Sequence, residues 1–181
     1  MFEDIRSKKV IFVCHCMLNQ NAISDGTAVY PAAFRELADW AYAKDIGIVQ
    51  MPCPELQCLG LDRGDPEGAK RPVTVENTRI RRAMEQGEPG EKLKELISLV
   101  IWQIREYSRH GFQIIGIIGA NRSPNCGVET TSDHDEETEG MGLFMGGLKA
   151  ALDDLGLKIP MTGLKASDDI VKKLEELKQN G

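Results

Sequence analysis

Four short apolar runs separated by stretches of helical periodicity restrict this chain to few folds. Lys9 to Val13 ("KVIFV") is β-branched and aromatic with no 3.6-residue pattern, and Ile46 to Met51 and Ile114 to Ile118 are likewise short and apolar. Lys158 to Leu164 is a weaker fourth run. Between them, Phe34, Leu37, Ala38 and Ala41 share one helical face, and Pro31 suits the first turn of a helix that reaches Lys44. Leu93, Leu96, Ile97, Val100, Ile101, Ile104 and Tyr107 form a longer stripe that Gly111 stops. A third helix carries Leu143, Phe144, Leu148, Ala151, Leu152 and Leu155, and Asp168 to Lys178 reads as a short terminal one. Strand and helix thus alternate four times. Strands that are apolar on both faces, joined by helices, predict an α/β protein: a three-layer Rossmann-like fold with a mostly parallel four-stranded sheet.

Right-handed crossovers put the carboxyl ends of parallel strands on one edge, where open α/β sheets bind ligands. Cysteines occur there three times: Cys14 and Cys16 after the first strand, Cys53 after the second and Cys126 after the third. Three thiolates from three strand ends can hold zinc, or three irons of a 4Fe-4S cluster, and either set lacks a fourth protein ligand. The competing interpretation is that each is a small buried hydrophobe. Against it, Cys53 lies between Pro52 and Pro54, and Cys126 lies in "NRSPNCG"; both read as rigid turns. Only one of Cys14 and Cys16 is needed as a ligand. Cys58 reads as packing in a leucine-containing loop. His15 points away if the strand continues, and His110 and His134 read as solvated.

With 181 residues, 41% hydrophobic and 28% charged, the expectation is a single α/β domain spanning 1–181. From about 61 to 90 it makes a loop-rich excursion, "DRGDPEGAKRP" and "EQGEPGE", around a short helix near Glu76 to Met84; such length serves a lid or a binding loop. A net charge of −6 argues against binding a nucleic-acid polymer. Acidic Glu3 and Asp4 precede a short apolar run, so no secretory signal is expected, and no run reaches the ~20 residues of a membrane span. A cytoplasmic location follows, where thiols stay reduced.

"HCMLNQNAISDG", "CPELQCLGLDR" and "NRSPNCG" together resemble the three motifs of the 2-thiouracil desulfurase family, over about Val10 to Gly127. The resemblance implies a 4Fe-4S cluster held by Cys16, Cys53 and Cys126, in an enzyme that removes sulfur from a thiolated nucleobase. It also implies catalytic roles for Glu55 and Ser123, and it aligns Asp25-Gly26 and Arg63 with further motif positions. Departures are Asn125 in place of a serine, Met17-Leu18-Asn19 in place of Leu-Leu-Gly, an insertion at "GAKRP", and the extra Cys14. Arg63, Lys70, Arg71 and Arg122 are candidates to contact an anionic or planar ligand; a solvated face is the other interpretation. The expected partner is a small thiolated substrate, with Glu55 as general base and Ser123 placing the water or proton. Two other classes stay open: a zinc or iron-sulfur carrier, and an enzyme with Cys126 as nucleophile.

Overall fold

The computed structural model describes residues 2–179. In chain order the elements are β1 (Lys9–Val13), α1 (His15–Leu18), α2 (Arg35–Ala43), β2 (Gly47–Gln50), α3 (Pro54–Leu59), α4 (Val73–Met84) and α5 (Gly87–Arg109). They continue with β3 (Gln113–Ala120), β4 (Thr130–Asp133), β5 (Glu136–Glu139), α6 (Leu143–Asp154), β6 (Met161–Leu164) and α7 (Ile170–Gln179). Four strands form one sheet in the order β2-β1-β3-β6, and every pairing in it is parallel. The architecture is therefore the three-layer Rossmann-like α/β fold, its sheet wholly rather than mostly parallel.

The pattern that predicts the strands also explains their burial. Ile11, Phe12 and Val13 of β1 and Ile115, Ile117 and Ile118 of β3 are buried, as central strands covered on both faces require. Val13 lies opposite Gln50 in β2 and Ile118 in β3, so β1 and β2 end level while β3 runs on to Ala120. α2 and α7 pack together, with Leu37, Trp40 and Ala41 meeting the Ile170, Leu174 and Leu177 side, and the Trp40 indole donates to Glu175 at 2.8 Å. α5 packs on α6 and β3 through the predicted stripe, of which Leu93, Val100 and Ile104 are fully in the core. Close approach at these contacts needs small residues: a Cβ on Gly116 would lie 2.8 Å from Leu177.

Several local expectations shift. The first long helix begins at Arg35, leaving Pro31 in the preceding bends, because the Phe34 N–H is drawn to the Met17 carbonyl at 2.8 Å. The excursion holds more helix than expected, since α4 starts at Val73 directly after Pro72, a helix-initiating position. "PELQCL" forms α3, which puts Cys58 on a helix, half-buried against the core. The acidic stretch after Cys126 is an antiparallel hairpin, β4 with β5, turning at His134 and Asp135, both at positive φ. Among the described residues no helix is long and apolar enough to cross a membrane.

Gly119 faces the loop that carries Cys126. A Cβ there would collide with the Cys126 carbonyl and lie 2.6 Å from Val128 Cγ2, whereas a Cβ on Gly146 of α6 finds nothing closer than Met141 at 3.8 Å. Gly119→Ala is expected to lower stability by about 1–3 kcal/mol through overpacking. Gly146→Ala is expected to raise it by roughly 0.5–1 kcal/mol through helix propensity. Urea midpoints of the two variants should move in opposite directions; a shared direction would refute the packing described.

Candidate functional site

One cavity of about 300 Å³ opens at the carboxyl edge of the sheet, and each strand end supplies part of its wall. Cys16 comes from the segment after β1, Cys53 after β2, Ala120 to Pro124 and Cys126 from the end of β3 and the loop after it, and Leu164 to Ser167 from the end of β6 and the loop after it. The chain leaves β1 to one side for β2 and to the other for β3, so the cavity sits at the switch point between β1 and β3, the usual crevice of such sheets. All five residues singled out from the motifs line it: Cys16, Cys53, Cys126, Glu55 and Ser123.

Local structure fixes each of them. Cys53 is the N-cap of α3, its sulfur accepting the Leu56 N–H at 3.4 Å while Pro54 supplies the first turn. Cys16 is held on the short helix α1. Cys126 closes a turn in which its carbonyl accepts the Ala120 N–H (2.8 Å) and its own N–H donates to the Ser123 hydroxyl (2.9 Å). Ser123 Oγ also accepts the Asn125 N–H at 3.3 Å, so this hydroxyl shapes the cysteine loop as well as lining the cavity. The Asn125 carbonyl takes the N–H groups of Phe144 and Met145 at 3.0 and 3.1 Å, tying the loop to the start of α6.

Glu55 is buried, 8% exposed, with its oxygens well supplied. Oε2 accepts Arg63 Nε (3.0 Å) and Ser24 Oγ (3.2 Å), and Oε1 accepts Asn125 Nδ2 (3.1 Å). Arg63 is only 3% exposed. Its remaining nitrogens donate to the carbonyls of Gly60 (2.9 Å), Leu61 (3.2 Å) and Ala22 (2.6 Å), and Nη2 approaches the Cys53 sulfur at 3.9 Å. The aligned arginine is therefore a buried organiser of the site. The other candidate cations divide: Arg122 is exposed and lines the cavity, Lys70 pairs with Glu67 in solvent, and Arg71 pairs with Asp65 (2.7 Å) and Glu76 (2.8 Å) away from it. His110 and His134 are exposed, and His15 does not border the cavity.

Cys14 is buried beneath this wall, its sulfur 3.9 Å from that of Cys16. Hydrogen bonding to Cys126 and Cys16, with burial, pushes the Cys14 thiol far up. Burial, then the charges of Glu55 and Cys126, push the Cys53 thiol up as well. At Cys126 the hydrogen bond with Cys14 acts downward, but burial and the neighbours Cys16 and Glu55 leave the thiol raised. All five cysteines are free.

Among the described residues, no group of three or more His, Cys, Asp and Glu side chains is gathered closely enough to hold one metal ion. Cys16, Cys53 and Cys126 instead stand around the cavity wall. The donor set is all-sulfur, the soft type that iron-sulfur clusters take, and the residues present fit such a cluster.

Sequence reasoning did not single out Ser24 or Asn77. Ser24 borders the aligned Asp25-Gly26, and its one visible signal is that adjacency; Asn77, from α4, donates to the Arg122 carbonyl (3.3 Å) and Ser132 Oγ (3.1 Å).

No family model matches the chain. An uncharacterized protein of Methanocaldococcus jannaschii is 30% identical over 124 residues, which are 68% of this chain and 70% of that protein. Among solved structures, the 4Fe-4S-dependent thiouracil desulfidase TudS superposes with a TM-score of 0.53, covering 93% of this chain and 96% of the other at 18% identity; the likeness is one of fold.

A thiol whose folded pKa lies above its unfolded value of about 8.5 contributes stability that is complete below that value and is lost as pH rises through the folded one. In metal-free, reduced protein, Cys53 should therefore make the fold weaken between pH 8.5 and 10, by about 1.4 kcal/mol per pH unit. Urea melts at pH 7.5 and 10 should show a smaller loss for Cys53→Ser than for the parent chain. Equal losses would mean that the thiol is not held protonated.

Proposed function

We propose that this chain, which belongs to the same family as the uncharacterized protein of Methanocaldococcus jannaschii, is an iron-sulfur-dependent desulfurase acting on a thiolated nucleobase or similar small thiocarbonyl compound. One observation carries this: the three cysteines, the glutamate and the serine of three motifs far apart in sequence line a single cavity. The fold likeness to TudS, itself a 4Fe-4S-dependent thiouracil desulfidase, supports it. The working location is the cytoplasm, which keeps five cysteines reduced, and the partner is a small molecule rather than a polymer.

Cys16, Cys53 and Cys126 would hold a 4Fe-4S cluster, which when bound supplies an iron without a protein ligand as a Lewis acid for the substrate's sulfur. Arg63 sets a positive charge beside Cys53 and the Glu55 carboxylate, offsetting negative charge in a buried wall. Glu55 Oε2 is occupied by Arg63 and Ser24, but Oε1 has one donor, Asn125, and a carboxylate oxygen accepts about two. The free position on Oε1 can take a proton from water inside the cavity, the general-base role. Ser123 Oγ accepts two backbone N–H groups, which leaves its own hydrogen to donate, to the Cys126 sulfur or to a water or leaving group at the wall. The raised thiols disfavour Cys126 as a free nucleophile, because the thiolate is the attacking species.

Protein reconstituted without oxygen should carry about four irons and four acid-labile sulfides per chain, and Cys126→Ala should lose most of both. One zinc per chain, or no metal, would sink the proposal. Glu55→Gln should keep the iron and sulfide yet lower turnover of a thiouracil by about 10²–10⁴-fold. Full turnover with cluster intact would remove Glu55 from the base role, and cluster without turnover in the parent chain would point to a carrier.

A further inference from the structure

We propose that Cys14 is a resolving thiol for Cys16, so that a small disulfide entering the metal-free cavity converts the pair into a Cys14–Cys16 disulfide. The inference stands on thiol placement and does not need the cluster. The two sulfurs are already 3.9 Å apart, and both residues are free. They are two residues apart, so even a fully extended chain, at roughly 3.3–3.6 Å of reach per residue, would hold their Cα atoms only about 7 Å apart, the upper limit of what a disulfide bridges. The chain also turns into α1 at His15, which shortens that separation.

Access assigns the order of events. Cys16 is half-buried and lines the cavity, whereas Cys14 is 1% exposed and does not. The Cys16 thiolate attacks the incoming disulfide, forming a mixed disulfide and releasing one small thiol. Burial and hydrogen bonding hold the neighbouring Cys14 thiol protonated, so it gives its proton to the small thiolate just released as it attacks the adjacent Cys16 sulfur, and the second small thiol leaves. Two protein thiols lose two electrons and two protons, and the small disulfide is reduced to two thiols. Cys58 has no such partner role, since it lies on α3 outside the cavity. If Cys16 is a cluster ligand, as proposed above, the internal disulfide stops loading until it is reduced. It also spares Cys16 from further oxidation while the cavity is empty.

The test is a peptide map of the full, metal-free chain, reduced, exposed to excess glutathione disulfide, then blocked with an alkylating agent and digested with trypsin. Both cysteines fall on the one peptide Val10 to Arg35, while Cys53, Cys58 and Cys126 fall on others. That peptide should lose the mass of two hydrogens and escape alkylation. In Cys14→Ser, it should instead carry glutathione on Cys16. A stable glutathione adduct in the parent chain, a cross-link between this peptide and the Cys126 peptide, or full alkylation of both thiols would each overturn the proposal. Because metal is absent throughout, failure of the cluster and failure of this disulfide are read separately: the first by iron and sulfide content, the second by this map.

Discussion

The buried pair of Arg63 and Glu55 is the interaction on which the cavity depends. A guanidinium and a carboxylate taken out of water cost several kcal/mol each unless the geometry recovers it, and loss of one partner commonly costs about 3–5 kcal/mol. Here recovery comes from many donors at once. Arg63 reaches the carbonyls of Ala22, Gly60 and Leu61, and Glu55 receives Ser24 and Asn125. Those contacts join the segment after β1, the turn after α3 and the loop after β3, which are three of the four walls. Arg63 adopts a positive φ of 56°, an unfavourable conformation for a residue with a Cβ, and its carbonyl is held in turn by Arg79 at 2.9 Å. The side-chain network over-determines that strained backbone, and the walls are fixed before any ligand arrives.

The second constraint is charge. Three buried thiols, Cys14, Cys53 and Cys126, resist ionisation, so in the metal-free state they add little negative charge to the buried Arg63–Glu55 pair beside them. A bound metal group must displace those protons, which couples binding to proton release and makes burial work against loading. Arg63 near the Cys53 sulfur lowers that cost on one side, and the Leu56 N–H lowers it by a hydrogen bond. Cys14 offers no comparable charge; it occupies the space under Cys16 and Cys126 as a neutral thiol.

The sheet and the placement of the cysteines were legible in the sequence because both follow from strong, local signals. Apolar runs such as "KVIFV" admit one interpretation when flanked by helical stripes, and parallel strands leave their carboxyl ends nowhere but one edge. The supporting residues were not legible. Ser24 and Asn125 are short polar residues in loops and Asn77 is one within α4, and nothing in their spacing separates them from solvent-facing neighbours until the fold buries them. Arg63 read as a ligand contact or part of a solvated face for the same reason: burial of an arginine is a property of tertiary structure. The β4–β5 hairpin was missed because its strands, "TTSD" and "EETE", lack apolar alternation, and its turn uses His134-Asp135 where glycine-containing pairs are the usual signal. Cys53 was placed correctly, but the six residues after it were too few for periodicity to mark as helix.

What separates an enzyme from a carrier at this site is the treatment of Glu55. A carrier needs sulfur ligands and a mouth, and the three cysteines around a cavity of about 300 Å³ supply both. It has no need of a carboxylate in the same wall, which adds negative charge beside thiolates and demands a buried arginine to offset it. Glu55 is in that wall, oriented by three side chains from three segments, with one lone-pair position on Oε1 left open. Ser123 adds a hydroxyl donor on the same surface, next to Cys126. A proton acceptor and a proton donor held in fixed positions beside three sulfurs form an arrangement that stability alone does not favour, since an apolar wall would cost less to bury. Exchange of a proton between water and a small substrate there would account for that cost, which storage alone would not, and this is the ground on which the desulfurase proposal is preferred to a carrier.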